Sequence, residues 1–232
     1  MPDTPTNKVK FGLKSTYYAV ATIANDGSAT FATPKPLRGA VSLSLDPQGD
    51  NSTFRADNMD YYISNGANGY SGNLELALIP EDFRQDVLGE AVAGNGVQYE
   101  ELRPPVVHFA LLFQIEGDVK AARHTMYNCT ATRPSVGSST TESGAVTPVT
   151  DTLNISASSV YVSALEKDIV KGKVQQGDSA YSDWFSAVTL PAAAAAGGGT
   201  GGTGGTGGTE GTGGTEGTGG NSGGTEGTGT GN

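Results

Sequence analysis

The sequence is short of several things that carry chemistry. It has one cysteine, Cys129, which excludes an intrachain disulfide and gives no sign of an oxidising compartment. Two histidines do not make a zinc site, and no third ligand is evident. No apolar run is long enough to span a bilayer. The first residues, MPDTPTNKVKFGLK, lack the apolar stretch of about 7 to 15 residues that an export signal needs, which predicts folding in the cytoplasm. Without such a signal the sequons opened by Asn51, Asn128 and Asn154 have no glycosylation meaning. Positive charge is scarce too. Fourteen Lys and Arg face 24 Asp and Glu, a formal charge of −10 that argues against gripping a phosphate backbone.

What is present divides sharply in two. After Ala196 every residue is Gly, Thr, Glu, Asn or Ser, and this stretch holds 20 of the 35 glycines. It cannot bury enough surface to offset its conformational entropy, and its G-G-T and G-T-E-G repeats lack the G-X-Y period of collagen. The expectation is one folded domain over 1–190 and a flexible Ala then Gly/Thr-rich tail over 191–232. Removing the tail's three glutamates leaves a body that is still acidic, at −7.

Within the body the dominant period is two. YYAVATI (17–23) and SATFAT (28–33) flank Asn25-Asp26-Gly27, a hairpin signal because these residues tolerate positive φ. AVSLSL (40–45) sets Val41, Leu43 and Leu45 on one face, as a half-buried strand does. Residues 59–63 read as a strand, Ser64 to Gly69 as a turn, and NLELALI (73–79) as a strand with Leu74, Leu76 and Leu78 on one face and Glu75 on the other. Pro80 opens the one clear helix, EDFRQDVLGE, with Phe83 and Val87 one turn apart and Gly89 as its C-cap. VVHFALLFQI (106–115) is apolar on both faces, as a central strand is, and VKAARHTMYNCTAT (119–132) returns beside it. A polar loop over 133–151 leads into TLNISAS (152–158), and SDWFSAV (182–188) reads as a short helix docking Trp184 and Phe185. The fold class is mainly β, a sandwich or barrel with one flanking helix.

Candidate sites are then weighed on their chemistry. LDPQGDNSTFRADNMDYY (45–62) is rich in Asp and Asn, but against the calcium-loop template starting at Asp46 it places Gln48 third, Asn51 sixth and Asp57 twelfth, and fails. It reads instead as a long polar loop over 46–58. Strand parity puts Cys129 in the core with Phe109, Leu111, Phe113 and Ile115, with Val119, Ala121 and Tyr127 as their partners. Absent a bulge, His108 and His124 then lie on the opposite face, out of reach of the thiol. The two histidines could be diagonal neighbours roughly 7–8 Å apart if the hairpin loop has three residues. Glu100 and Glu101 point to opposite faces of a strand, poor geometry for acid-base work. No catalytic residue, cofactor site or metal site is assigned. The reading is of a non-enzyme.

The runs NKVKFGLKSTYYAVATI (7–23), GAVSLSLDPQGD (39–50), FRADNMDYY (54–62), GYSGNLELALIPEDFRQDVLGE (69–90) and HFALLFQIEGDVKAARHTMYNCTATRPSV (108–136), with the Trp184–Phe185 pair, resemble the major tail proteins of long, non-contractile-tailed phages. The resemblance spans about residues 7–190. It implies a tail-tube-type β-sandwich with one flanking helix that self-assembles into six-membered rings stacked as a hollow tube, the conduit for DNA ejection. It also implies a virion location after assembly in the host cytoplasm, no membrane partner, and contacts with tape measure and tail-end proteins. DNA would pass through without specific binding. Some relatives carry an immunoglobulin-like domain where this chain has its Gly/Thr tail. On this reading the N-terminal arm 1–16 and the loop 46–58 make the assembly contacts, through Lys8, Lys10, Asp46, Asp50, Phe54, Arg55, Asp57, Tyr61 and Tyr62. The aspartates would be met by Lys8, Lys10 or Arg38 of a neighbour. The competing reading from another class is a β-sandwich surface module binding carbohydrate or calcium, joined by a Gly/Thr linker.

Overall fold

A computed structural model describes residues 11–138, 140 and 148–193. The expectations for the tail, for Lys8 and Lys10, and for much of the 133–151 loop fall outside those residues.

The chain is mainly β, with strands β1 (Leu13–Ile23), β2 (Ala29–Phe31), β3 (Lys35–Pro36), β4 (Ala40–Gln48), β5 (Asn51–Ala56), β6 (Met59–Asn65) and β7 (Gly69–Leu76) before the helical segment. After it come β8 (Glu90–Val92), β9 (Gln98–Glu100), β10 (His108–Ile115), β11 (Arg123–Ala131), β12 (Asp151–Ser158), β13 (Val160–Val162), β14 (Lys167–Ile169) and β15 (Lys171–Val174). Nine of these form one open antiparallel sheet in the order β2-β1-β10-β11-β12-β7-β4, with β3 beside β1 and β15 beside β11. The pairs β5-β6, β8-β9 and β13-β14 stand apart as two-stranded ribbons.

Both faces of the sheet are covered, which is why β10 reads as apolar throughout. Phe109 and Leu111 face one core with Tyr18, Leu74, Leu76, Met126, Cys129, Leu153 and Ile155. Ala110 and Leu112 face the other with Ala19, Val174 and Trp184. At roughly 1.5–3 kcal/mol for each large side chain fully buried, these two layers dominate the favourable side of folding.

The helical segment closes the first core. Pro80 supplies an extended N-cap, α1 (Glu81–Phe83) makes one α-turn, and Arg84–Leu88 continues as a π-turn that stops at Gly89 in the left-handed region, φ 78°. Phe83, Val87 and Leu88 are buried by it. The Phe83 ring meets Tyr18 edge-on at 4.9 Å and Phe109 at 5.5 Å, the T-shaped geometry that aromatic quadrupoles favour. The first hairpin also forms as read. Asp26 Oδ1 accepts from the Ser28 N–H and hydroxyl, and Gly27 has φ 81°.

Several readings are corrected by irregularities that a strict period of two cannot anticipate. The register of β4 on β7 shifts between Ala40 and Ser42, so Val41 bulges outward and is exposed while Ala40 joins Leu43 and Leu45 against the core. β7 ends at Leu76, and Leu78 turns to solvent while Ile79 takes the buried place. The turn after β10 runs from 116 to 122, longer than read, so Val119 lies exposed in it and Ala121, at φ 46°, precedes the strand. Residues 182–188 are a run of turns rather than a helix, although Trp184 is buried and Phe185 stacks on Tyr17 at 4.9 Å. A further correction concerns residues 46–58 and is the most consequential.

Candidate assembly surface

Residues 46–58 are not a loop. β4 runs on to Gln48, and after a kink β5 pairs with β6 to make a ribbon from Asn51↔Asn65 to Ala56↔Met59. The kink is built on glycine. Gly49 has φ 139°, and a Cβ there would lie 1.9 Å from the carbonyl oxygen of Gly66, so no other residue fits without moving the backbone. The Gly66 N–H donates to Asp50 O at 3.1 Å and the Asn68 N–H to Gln48 O at 2.8 Å, which carries the ladder across the kink.

The ribbon's tip is Asp57-Asn58, with φ 51° and 65°. Positive φ at both central residues is what a tight two-residue hairpin turn requires, and Asp and Asn bear it better than most L residues. The register slips between Phe54 and Arg55, making Tyr61 the extra residue of a bulge. Phe54 faces Tyr62, and Arg55 pairs with Asp60 at 3.1 Å with both side chains more than half exposed. Arg55 Nη2 also donates to Asn58 O. Phe54, Met59, Tyr61 and Tyr62 are each more than 60% exposed. Four large apolar side chains on a two-stranded ribbon that no layer covers among the described residues are unusual for a lone chain.

Of the predicted contact residues, Asp46, Asp50, Phe54, Arg55, Asp57, Tyr61 and Tyr62 therefore lie along β4 and the ribbon that continues it. Asp46 sits on β4, whose only strand partner is β7, so the other edge of that strand is open among the described residues. Arg38 is exposed at the opposite end of β4.

A second exposed apolar surface escaped the sequence reading. β8 and β9 form a ribbon joined at Asn95-Gly96, and Val92, Val97, Tyr99, Leu102 and Val106 are exposed on it and just after it. The Asn-Gly pair between EAV and VQYE was the available hairpin signal.

The residues weighed for catalysis go elsewhere. Cys129 is fully buried, and burial pushes its thiol up to about 12. The parity argument about histidine needs correction, because a bulge in β11 sets Phe109 opposite Cys129 but Leu111 opposite Met126. His124 consequently shares the face of Cys129 and stacks on Phe113 at 5.3 Å. It is still five residues away along the strand, about 16 Å at ~3.3 Å per residue. His108 Nδ1 lies 2.7 Å from Asn128 Oδ1 at the other end of the β10–β11 pair, so the histidines are not diagonal neighbours. Glu100 pairs with Arg133 at 3.4 Å. Among the described residues no three His, Cys, Asp or Glu side chains gather as a metal site would require, and no helix is long and apolar enough to cross a membrane.

A family model described as phage tail tube protein matches residues 1–180. No match was found among curated proteins. Two solved structures are similar: "Cryo-EM structure of the anti-feeding prophage (AFP) baseplate, 6-fold symmetrised", at 12% identity and TM-score 0.38, covering 74% of this chain and 97% of that one; and "Cryo-EM structure of the anti-feeding prophage cap (AFP tube terminating cap)", at 11% identity and TM-score 0.36, covering 75% and 99%.

Proposed function

The chain belongs to the phage tail tube protein family, and we propose that in the virion it self-assembles into hexameric rings stacked as the tube through which DNA is ejected into the host. The observation that carries this reading is the β5–β6 ribbon. A separate two-stranded element with exposed Phe54, Met59, Tyr61 and Tyr62 gains a packing partner when a second copy covers it. The open edge of β4 offers a second contact, since edge strands left unpaired in one copy can pair between copies around a closed ring.

The charge suits the task. A body at formal −7 repels a polyanion, so DNA slides through the lumen without sticking. Tape measure and tail-end proteins meet the tube at its ends, and the chain itself carries no catalytic role.

The test is to replace residues 50–65 with a short Gly-Asn turn and image purified protein by negative stain at high concentration. The unaltered chain is expected to form rings or tubes and the variant to remain unassembled. Normal tubes from the variant would remove the ribbon from the assembly contact, and strict monomers from the unaltered chain would overturn the tube reading.

A further inference from the structure

We propose that the pocket at the start of β4 is the socket for the ribbon tip of a second copy of this chain, with Arg38 receiving Asp57; this rests on the reading of the chain as a self-assembling tube protein. The pocket, about 340 Å³, exists because β1 bulges. Its register against β10 jumps from Lys14↔Gln114 to Tyr17↔Leu112, and Ser15 takes φ 53°. Across from the bulge run Pro36 to Ala40, with Gly39 at φ 86°.

The lining is polar and cationic. Arg38 is exposed and has no ion-pair partner among the described residues. Lys14 reaches Glu116 only at 3.4 Å, with both side chains about half exposed, an arrangement too solvated to consume its charge. Thr16 is buried among the lining residues, and its hydroxyl has no partner among the described residues.

The ribbon tip is the complement. Asp57 and Asn58 are both exposed, and Asp57 has no partner among the described residues. The charges behind it, Arg55 and Asp60, pair with each other and cancel, so the tip presents a single net negative charge on a narrow turn. A concave cationic site and a convex anionic one then occur on the same chain.

Their placement makes the contact one between copies. The socket lies at the Ala40 end of β4, whereas the ribbon leaves from the Gln48 end, eight residues away or ~26 Å along the strand, and extends through six pairs for ~20 Å more. Tip and socket thus lie at opposite ends of β4, and used head to tail they make a heterologous contact, which builds a closed ring or an open stack according to the rotation between copies.

Reciprocal charge reversal on the full chain tests it. Arg38→Glu and Asp57→Arg are each expected to raise the concentration at which tubes appear by about tenfold or more, since each sets like charges together. The double variant, or an equal mixture of the two single variants, should recover assembly. Both side chains are exposed, so an unchanged melting temperature will separate a contact effect from misfolding. If Arg38→Glu assembles like the unaltered chain, or the double variant is as poor as the singles, the socket is wrong and the tube reading stands. If the unaltered chain forms no rings or tubes, both fall together.

Discussion

Tyr18 donates its hydroxyl to Asp86 Oδ2 at 2.8 Å, and Lys35 Nζ reaches the same oxygen at 2.6 Å. One carboxylate thus ties β1 and β3 to the π-turn that closes the first core. Burial of the Tyr18 ring, then the hydrogen bond to Asp86 and its charge, hold the phenol protonated far above its ordinary range.

Asp86→Ala removes the acceptor and leaves a buried hydroxyl without a partner, an expected cost of ~1–3 kcal/mol in urea unfolding. Tyr18→Phe removes the donor instead and keeps the Lys35 pair, so the expected cost is smaller, about 0.5–1.5 kcal/mol. The opposite order would show that the carboxylate contributes little to holding the helical segment.

Cys129 should be inert in the folded chain. Its thiol is completely buried and pushed up to about 12, so almost no thiolate exists at neutral pH. A thiol reagent is expected to label less than a few per cent of the native protein in the time that it labels all of the protein in denaturant. Rapid native labelling would show that the β10–β11 core opens readily.

Acid stability should respond to Glu75. Its carboxylate accepts from Thr150 at 2.6 Å and from Ser42 at 2.9 Å, bracing β7 to β4 and to the segment entering β12. Those hydrogen bonds, the Thr150 one foremost, hold its carboxyl below the ordinary 4.5. A folded-state pKa lowered in this way contributes stability above the unfolded value and loses it as pH falls through the folded one. Stability is therefore expected to decline below about pH 4.5, and Glu75→Gln should make that decline less steep. Parallel acid titrations of unfolding for the two proteins would decide it.

Much of the fold was legible because short-range chemistry dictates it. Asn25-Asp26-Gly27 makes a turn by its own φ preferences, Pro80 and Gly89 bracket the one helical segment, and the unbroken apolar run of β10 can belong only to a strand covered on both faces. The exposed β5–β6 ribbon was half legible. Its residues drew attention through their Asp, Asn and aromatic content, but a polar stretch holding proline and glycine reads as a loop when only neighbours in sequence are considered.

The sequence by itself therefore determined the β class, the helical segment and the burial of Cys129. Tertiary structure alone decided the bulges at Val41, at Ser15 and within β11, because inserting one residue into a ladder depends on the partner strand and leaves no period to detect. It also decided that Gly49 and Gly66 stand back to back and let β4 and β7 continue as a ribbon. Whether a polar stretch is a loop or a strand is settled by which backbone lies opposite it, and that relationship exists only once the chain has folded.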